Sequence, residues 1–125
     1  MISFEEFILE DDSPIYMQII RYIKQGIAAG TIGDQEEAPS RRVLSALLGV
    51  NPNTIQKAYH ILEEEGIIVS RSGAKSYTRV DESTVRRIRR ELMANSTIQW
   101  VKTMKQLGVG REEAAVLFEK IWEEG

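Results

Sequence analysis

The sequence predicts a mainly α-helical fold with one small β-hairpin and a helical C-terminal tail. Three observations predict it. Residues 39–66 carry two amphipathic helical patterns separated by the short turn Gly49–Val50–Asn51. Next come two short strand-like runs, Ile67–Val69 and Tyr77–Val80, around the polar turn SRSGAKS. From Asp81 onward only helical patterns follow. Helix, turn, helix, hairpin is the order of a winged helix-turn-helix. The full expectation is a winged helix-turn-helix over residues 1–80, followed by a two-helix dimerisation hairpin over 81–125.

The first helix spans Pro14–Gly30. Ile15, Ile19, Tyr22, Ile23 and Ile27 mark one face, and Gly30 ends it. Ahead of it, Phe7 and Leu9 either form a short strand or pack on this helix. Thr31–Ala38 reads as a loop, with Gly33 and Asp34 as turn residues. The second helix, Pro39–Gly49, has Ser40 as its cap, an apolar face of Val43, Leu44, Leu47 and Leu48, and Gly49 as its stop.

The third helix follows at once. Asn51 caps it, and Pro52 suits its first position, where no backbone donor is lost. Ile55, Ala58, Tyr59 and Leu62 form the buried face, which leaves Asn53, Thr54, Gln56 and Lys57 exposed in the first two turns. Amide, hydroxyl and ammonium groups on a rigid rod are suited to a DNA major groove. The competing reading is a protein-interaction adaptor built on the same fold, in which these polar groups only cap and solvate the helix. Gly73 sits at the tip of the hairpin that follows.

Asp81 or Ser83 caps a long helix running to about Leu107. Val85, Ile88 and Leu92 make its first apolar stripe; Trp100, Val101, Met104 and Leu107 make its second. The polar stretch Asn95–Ser96–Thr97 between them is a candidate bend. Gly108–Val109–Gly110 breaks the chain before a last helix, Arg111–Glu124, with Ala114, Leu117, Phe118, Ile121 and Trp122 on one face. Two such helices bury too little to be stable alone. A second copy solves this, so Val85, Ile88, Leu92, Trp100, Met104, Leu117, Phe118, Ile121 and Trp122 are the expected contacts of a homodimer. The alternative is that the aromatics pack back on the winged part of the same chain. Arg86, Arg87, Arg89 and Arg90 form either a solvated face or a set of phosphate contacts.

Composition narrows the function. The absence of cysteine removes disulfides, thiol catalysis and thiolate zinc sites. The single histidine, His60, leaves no histidine cluster for a transition metal. No acid, base and nucleophile constellation or phosphate-cradling glycine loop is visible, so an enzyme is a distant third reading, and no catalytic residue, cofactor or metal is expected. No apolar run is long enough for a membrane span. The acidic N-terminus is not a secretory signal, so the expected location is the cytoplasm. The net charge of −3 runs against nucleic-acid binding, but its distribution does not. Residues 1–14 hold acids only, residues 15–80 hold eight Lys/Arg against six Asp/Glu, and residues 81–125 hold eight of each. The basic part is therefore the helix-turn-helix itself. Its excess is small, so affinity is expected to lean on dimerisation.

PIYMQI in the first helix, PSRRVLS in the second, GVNPNTIQKAYHILEEEGII through the third and VSRSG at the wing together resemble the GntR family of bacterial transcription regulators. The short two-helix tail resembles its YtrA-like branch. The resemblance implies a dimeric winged helix-turn-helix repressor on a palindromic operator, in this branch often that of a transporter operon. By position it implies DNA contacts at Arg42, Asn51, Asn53, Thr54, Gln56 and Gly73. This chain has Ala38 where members usually carry leucine, and Lys75 and Ser76 where they carry glycine and threonine. The physical division of labour then follows. Ser40, Thr54, Tyr59 and Lys75 are expected at phosphates, which set register. Arg42 suits guanine O6 and N7, and Asn53 and Gln56 suit adenine N6 and N7. Arg41 and Lys57 complete the expected DNA-binding set. No residue is assigned to a small-molecule effector.

Overall fold

The computed structural model describes residues 1–71 and 75–125. In chain order its elements are α1 (Ile15–Ala29), β1 (Glu37–Ala38), α2 (Arg41–Leu48), α3 (Pro52–Glu64), β2 (Ile68–Arg71), β3 (Lys75–Thr78), α4 (Glu82–Gln106) and α5 (Arg111–Glu124). They form two compact units, Met1–Arg89 and Arg90–Gly125. The division falls inside α4 rather than at residue 80. Ile88, two turns into α4, is fully buried and belongs to the first unit.

In the first unit α3 is the central element, packed against α1, α2 and β2. Ile19, Ile23 and Ile27 of α1, Leu44 of α2, and Ile55, Ala58, Tyr59 and Leu62 of α3 are buried together with Ile67, Ile68 and Ile88. The helical periodicity of α3 is thus realised in full, and that of α1 at Ile19, Ile23 and Ile27, with Ile15 and Tyr22 half-buried. On α2 it is not. Leu44 is buried, but Val43 and Leu47 remain 56% and 64% exposed, so the expected apolar face is only partly used. A helix this short meets the core along a single ridge, which leaves Val43 and Leu47 facing outward and Leu48 half-buried.

The sheet is antiparallel with strand order β1-β3-β2. Arg71 pairs with Lys75, Ser70 with Ser76, Val69 with Tyr77 and Ile68 with Thr78. The strands reach nearer the hairpin tip than expected. β1 lies where a plain loop was expected; two residues are too short for an alternating pattern to register. Thr78 fastens this edge. Its Oγ1 accepts from the Glu36 N–H (2.8 Å) and donates to the Gly33 carbonyl (2.6 Å), while its own N–H donates to the Glu36 carbonyl (2.9 Å).

The acidic N-terminal segment folds onto α1. The Ile2 N–H donates to the Glu37 carbonyl at 2.9 Å and the Tyr22 hydroxyl to the Ser3 carbonyl at 2.7 Å. Phe7 packs edge-on against Tyr22 with ring centroids 5.2 Å apart, so it covers α1 and forms no strand.

In the second unit the remainder of α4 ends at Gln106, and Gly108 beyond it takes a left-handed φ of 76°. The Val109 N–H closes that end on the Met104 carbonyl. Trp100 and Phe118 approach to 6.1 Å between centroids, and Phe118 and Trp122 to 5.7 Å. α4 is one uninterrupted helix through Asn95–Ser96–Thr97. Thr97 Oγ1 donates to the Met93 carbonyl one turn back, which satisfies its hydroxyl without breaking the helix. No helix among the described residues is long and apolar enough to cross a membrane.

Candidate nucleic-acid interface

The turn between α2 and α3 is built by Ser45, Gly49, Val50, Asn51 and Pro52. Gly49 takes a left-handed φ of 67°, which a Cβ disfavours, and its N–H closes α2 on the Ser45 carbonyl. Ser45 Oγ donates to the Val50 carbonyl at 2.6 Å, and the Val50 N–H returns to the Ser45 carbonyl at 3.1 Å. Asn51 Oδ1 then accepts from the Asn53 N–H at 2.8 Å, and Pro52 occupies the first helical position. These bonds satisfy several of the orphan groups at the two helix ends and hold the corner locally.

On the α3 so positioned, burial of Ile55, Ala58, Tyr59 and Leu62 turns Asn53, Gln56, Lys57, His60 and Glu64 into one exposed stripe. Asn53 and Gln56 present carboxamides near the helix start. Thr54 is half-buried beside them. Lys57 holds its ammonium 4.0 Å from the centroid of the Tyr16 ring. Farther along, His60 Nε2 and Glu64 Oε1 lie 2.9 Å apart. Asn51 keeps its side-chain amide donors after its oxygen has capped the helix.

Ser40 caps α2 by accepting from the Val43 N–H at 3.1 Å. Its hydroxyl proton stays available to a phosphate. Arg42 is exposed, with no ion pair among the described residues. Lys75 is exposed at the start of β3. Gly73, the expected wing tip, lies outside the described residues.

Three expected site residues take other roles. Tyr59 is a core side chain with no exposed surface, and its hydroxyl donates to the Pro39 carbonyl at 2.7 Å. It cannot touch a phosphate. Burial drives its phenol pKa up, an effect only partly offset by the nearby Arg41 guanidinium. Arg41 turns inward. Its guanidinium lies over the Tyr59 ring at 5.2 Å and pairs with Glu63 at 3.1 Å. Glu63 Oε1 also accepts from Ser70 Oγ at 2.8 Å, so this cluster ties α2, α3 and β2 together. Ile88, expected at the dimer contact, is a core residue of the first unit. The sequence did not single out Glu63, Ser70 or Tyr16, because each acts through a partner distant in the chain.

Of the two candidate caps of α4, Asp81 is the one used. Its Oδ1 accepts from the Thr84 N–H at 2.8 Å and from Thr84 Oγ1 at 2.9 Å. These bonds, the backbone one first, hold its carboxyl pKa below the ordinary value.

Residues 15–78, from α1 through β3, match the family described as bacterial regulatory proteins, gntR family. The chain is 33% identical over 111 residues to the HTH-type transcriptional repressor YtrA of Bacillus subtilis, covering 89% of this chain and 81% of that protein. Its structure is similar to that of a GntR family transcriptional regulator from Listeria monocytogenes, with a TM-score of 0.78 and 33% identity over 90% of this chain and 98% of the other. It is also similar to YtrA from Sulfolobus acidocaldarius, a GntR-family transcription factor, with a TM-score of 0.55 and 27% identity over 93% and 94% of the two chains. The fold, the locked corner ahead of α3 and these likenesses agree: the chain belongs to the GntR family of transcriptional regulators and carries its DNA-binding domain.

Proposed function

We propose that this chain is a homodimeric repressor that reads a palindromic operator, one α3 to each half-site, and that the operator controls a transporter operon. The observation that carries the DNA reading is the exposed stripe of α3 held by the locked corner. Asn53 and Gln56 pair with adenine edges and Arg42 with guanine, while Ser40, Thr54 and Lys75 hold phosphates. The repressor assignment draws on the likeness to the repressor YtrA.

The dimer rests on the tail. From Arg90 to Gly125 no residue is buried, and Phe118 and Trp122 are 51% and 72% exposed. Aromatic faces left open over a whole two-helix unit indicate a covered surface in the working protein. A second copy covers it by symmetry and sets two α3 helices at a fixed spacing.

The test is a mobility shift and footprint on the DNA upstream of the chain's own gene. The expected result is one protected inverted repeat, bound far more tightly than scrambled DNA. Equal affinity for both would defeat sequence reading. The adaptor reading has one observation in its favour, the exposed Val43 and Leu47 on α2. It gains only if the shift fails.

A further inference from the structure

Two contacts set the direction of α1 against α3. Lys57, in the first half of α3, rests on the ring of Tyr16 at the start of α1. Lys24, later in α1, pairs at 2.9 Å with Glu65, just past the end of α3. The two helices therefore run in the same sense. The start of α1 lies beside the end of α3 that carries Asn53 and Gln56.

The two lysines differ in their company. Lys24 is buried and its charge is met by a carboxylate. Lys57 is exposed, and no carboxylate reaches it among the described residues. Its neighbour is an aromatic face, which attracts an ammonium without neutralising it. The ring occupies one side of the ammonium, and the N–H donors on the other side stay free. A long flexible side chain is thereby held in one place with its charge intact. That is a useful state for a group that must meet an anion, because the ordering is done before binding.

We propose that Tyr16 is a positioning residue of the DNA interface: its ring holds the Lys57 ammonium at the reading end of α3, where the ammonium meets a backbone phosphate. This rests on the reading of α3 as the DNA-reading helix. It makes α1 part of the binding surface, and it assigns Lys57 to a contact that is blind to sequence.

A phosphate contact needs no operator to be measured, so the probe is a labelled duplex of random sequence, titrated with the full chain at several salt concentrations. Lys57→Met should weaken binding and lower the slope of log affinity against log salt by about one unit per chain. Tyr16→Leu and Tyr16→Met both remove the ring, and each should weaken binding about two- to fivefold, the range expected of an exposed cation–π contact. Tyr16→Phe keeps the ring and should bind like the parent. In the Lys57→Met background, loss of the ring should change nothing further. Using two ring-less variants, with thermal melts alongside, separates this from instability. A Tyr16 that merely supported the fold would weaken the parent and the Lys57→Met chain alike, and that result, or full binding by both ring-less variants, overturns the inference. A parent chain that binds no duplex at low salt overturns the DNA reading beneath it and this inference with it.

Discussion

Tyr59 and Arg42, both expected at the DNA from the sequence, are placed on opposite sides by the fold, one buried and one exposed. Tyr59 lies on the inner face of α3 and donates to the Pro39 carbonyl. Tyr59→Phe leaves that carbonyl without its donor in a buried place, so it should cost about 1–3 kcal/mol in chemical unfolding while DNA binding of the folded chain is unchanged. The phenol also carries a pH signature. Its pKa is raised in the folded chain from an ordinary 10.0, so the folded state binds the proton more tightly. Stability is therefore full below pH 10 and falls as the pH rises beyond it, a loss that the Phe variant should not show. Arg42 and Lys75 are exposed, and the proposed roles predict that they separate by sequence dependence. Arg42→Ala should lose roughly 1–3 kcal/mol per half-site on the operator and much less on scrambled DNA. Lys75→Ala should weaken both alike and flatten the salt slope by about one unit per half-site. If Arg42→Ala kept the parent's preference for operator, Arg42 would not be a reading residue.

At the scale of elements, the caps and corners carry the design. Gly49 has a positive φ and open space where a Cβ would stand, so only backbone conformation resists a side chain there. Gly49→Ala should lower stability by about 1–2 kcal/mol, and Gly49→Asn by less, because asparagine tolerates the left-handed region. Equal melting of parent and Ala variant would show that the corner relaxes freely. Asp81 caps α4 as a carboxylate whose pKa is lowered in the fold, so the cap is complete above the unfolded value and is lost as the pH falls through the folded one. Exchange of the Thr84 amide should quicken across that acid window and not in Asp81→Asn, whose amide oxygen caps without titrating. These features were legible in the sequence, since Ser40, Asn51, Pro52 and the helix-ending glycines act on residues within a turn of themselves. β1 was not legible, because its pairing partner Tyr77 lies far along the chain. The inward turn of Arg41 was hidden for the same reason: Glu63 and the Tyr59 ring reach it only once α2 and α3 are packed. Val43 and Leu47 misled in the opposite way, since an apolar period says which positions can be buried and not how much neighbour there is to bury them.

For the molecule as a whole, the decisive residue is Ile88. It makes the first turns of α4 part of the Met1–Arg89 unit, so the two compact units divide after Arg89 and not at Val80. A chain ending at Val80 loses a buried isoleucine and should be less stable by about 2–5 kcal/mol, the range for deleting such a side chain from a core. A chain ending at Arg89 keeps it. That chain should melt cooperatively, sediment as a monomer, and bind operator far more weakly than the full protein, because its half-sites are engaged independently and effective concentration is lost. In the full chain, Trp122→Ala combined with Phe118→Ala should shift the protein toward monomer and weaken operator binding in step, while leaving the melting of the Met1–Arg89 unit in place. The two measurements must move together. A double variant that sediments as the parent does would show that the aromatic face of α5 is covered by something other than its own copy. A variant that becomes monomeric yet keeps full operator affinity would show that the two reading helices are not coupled through the tail.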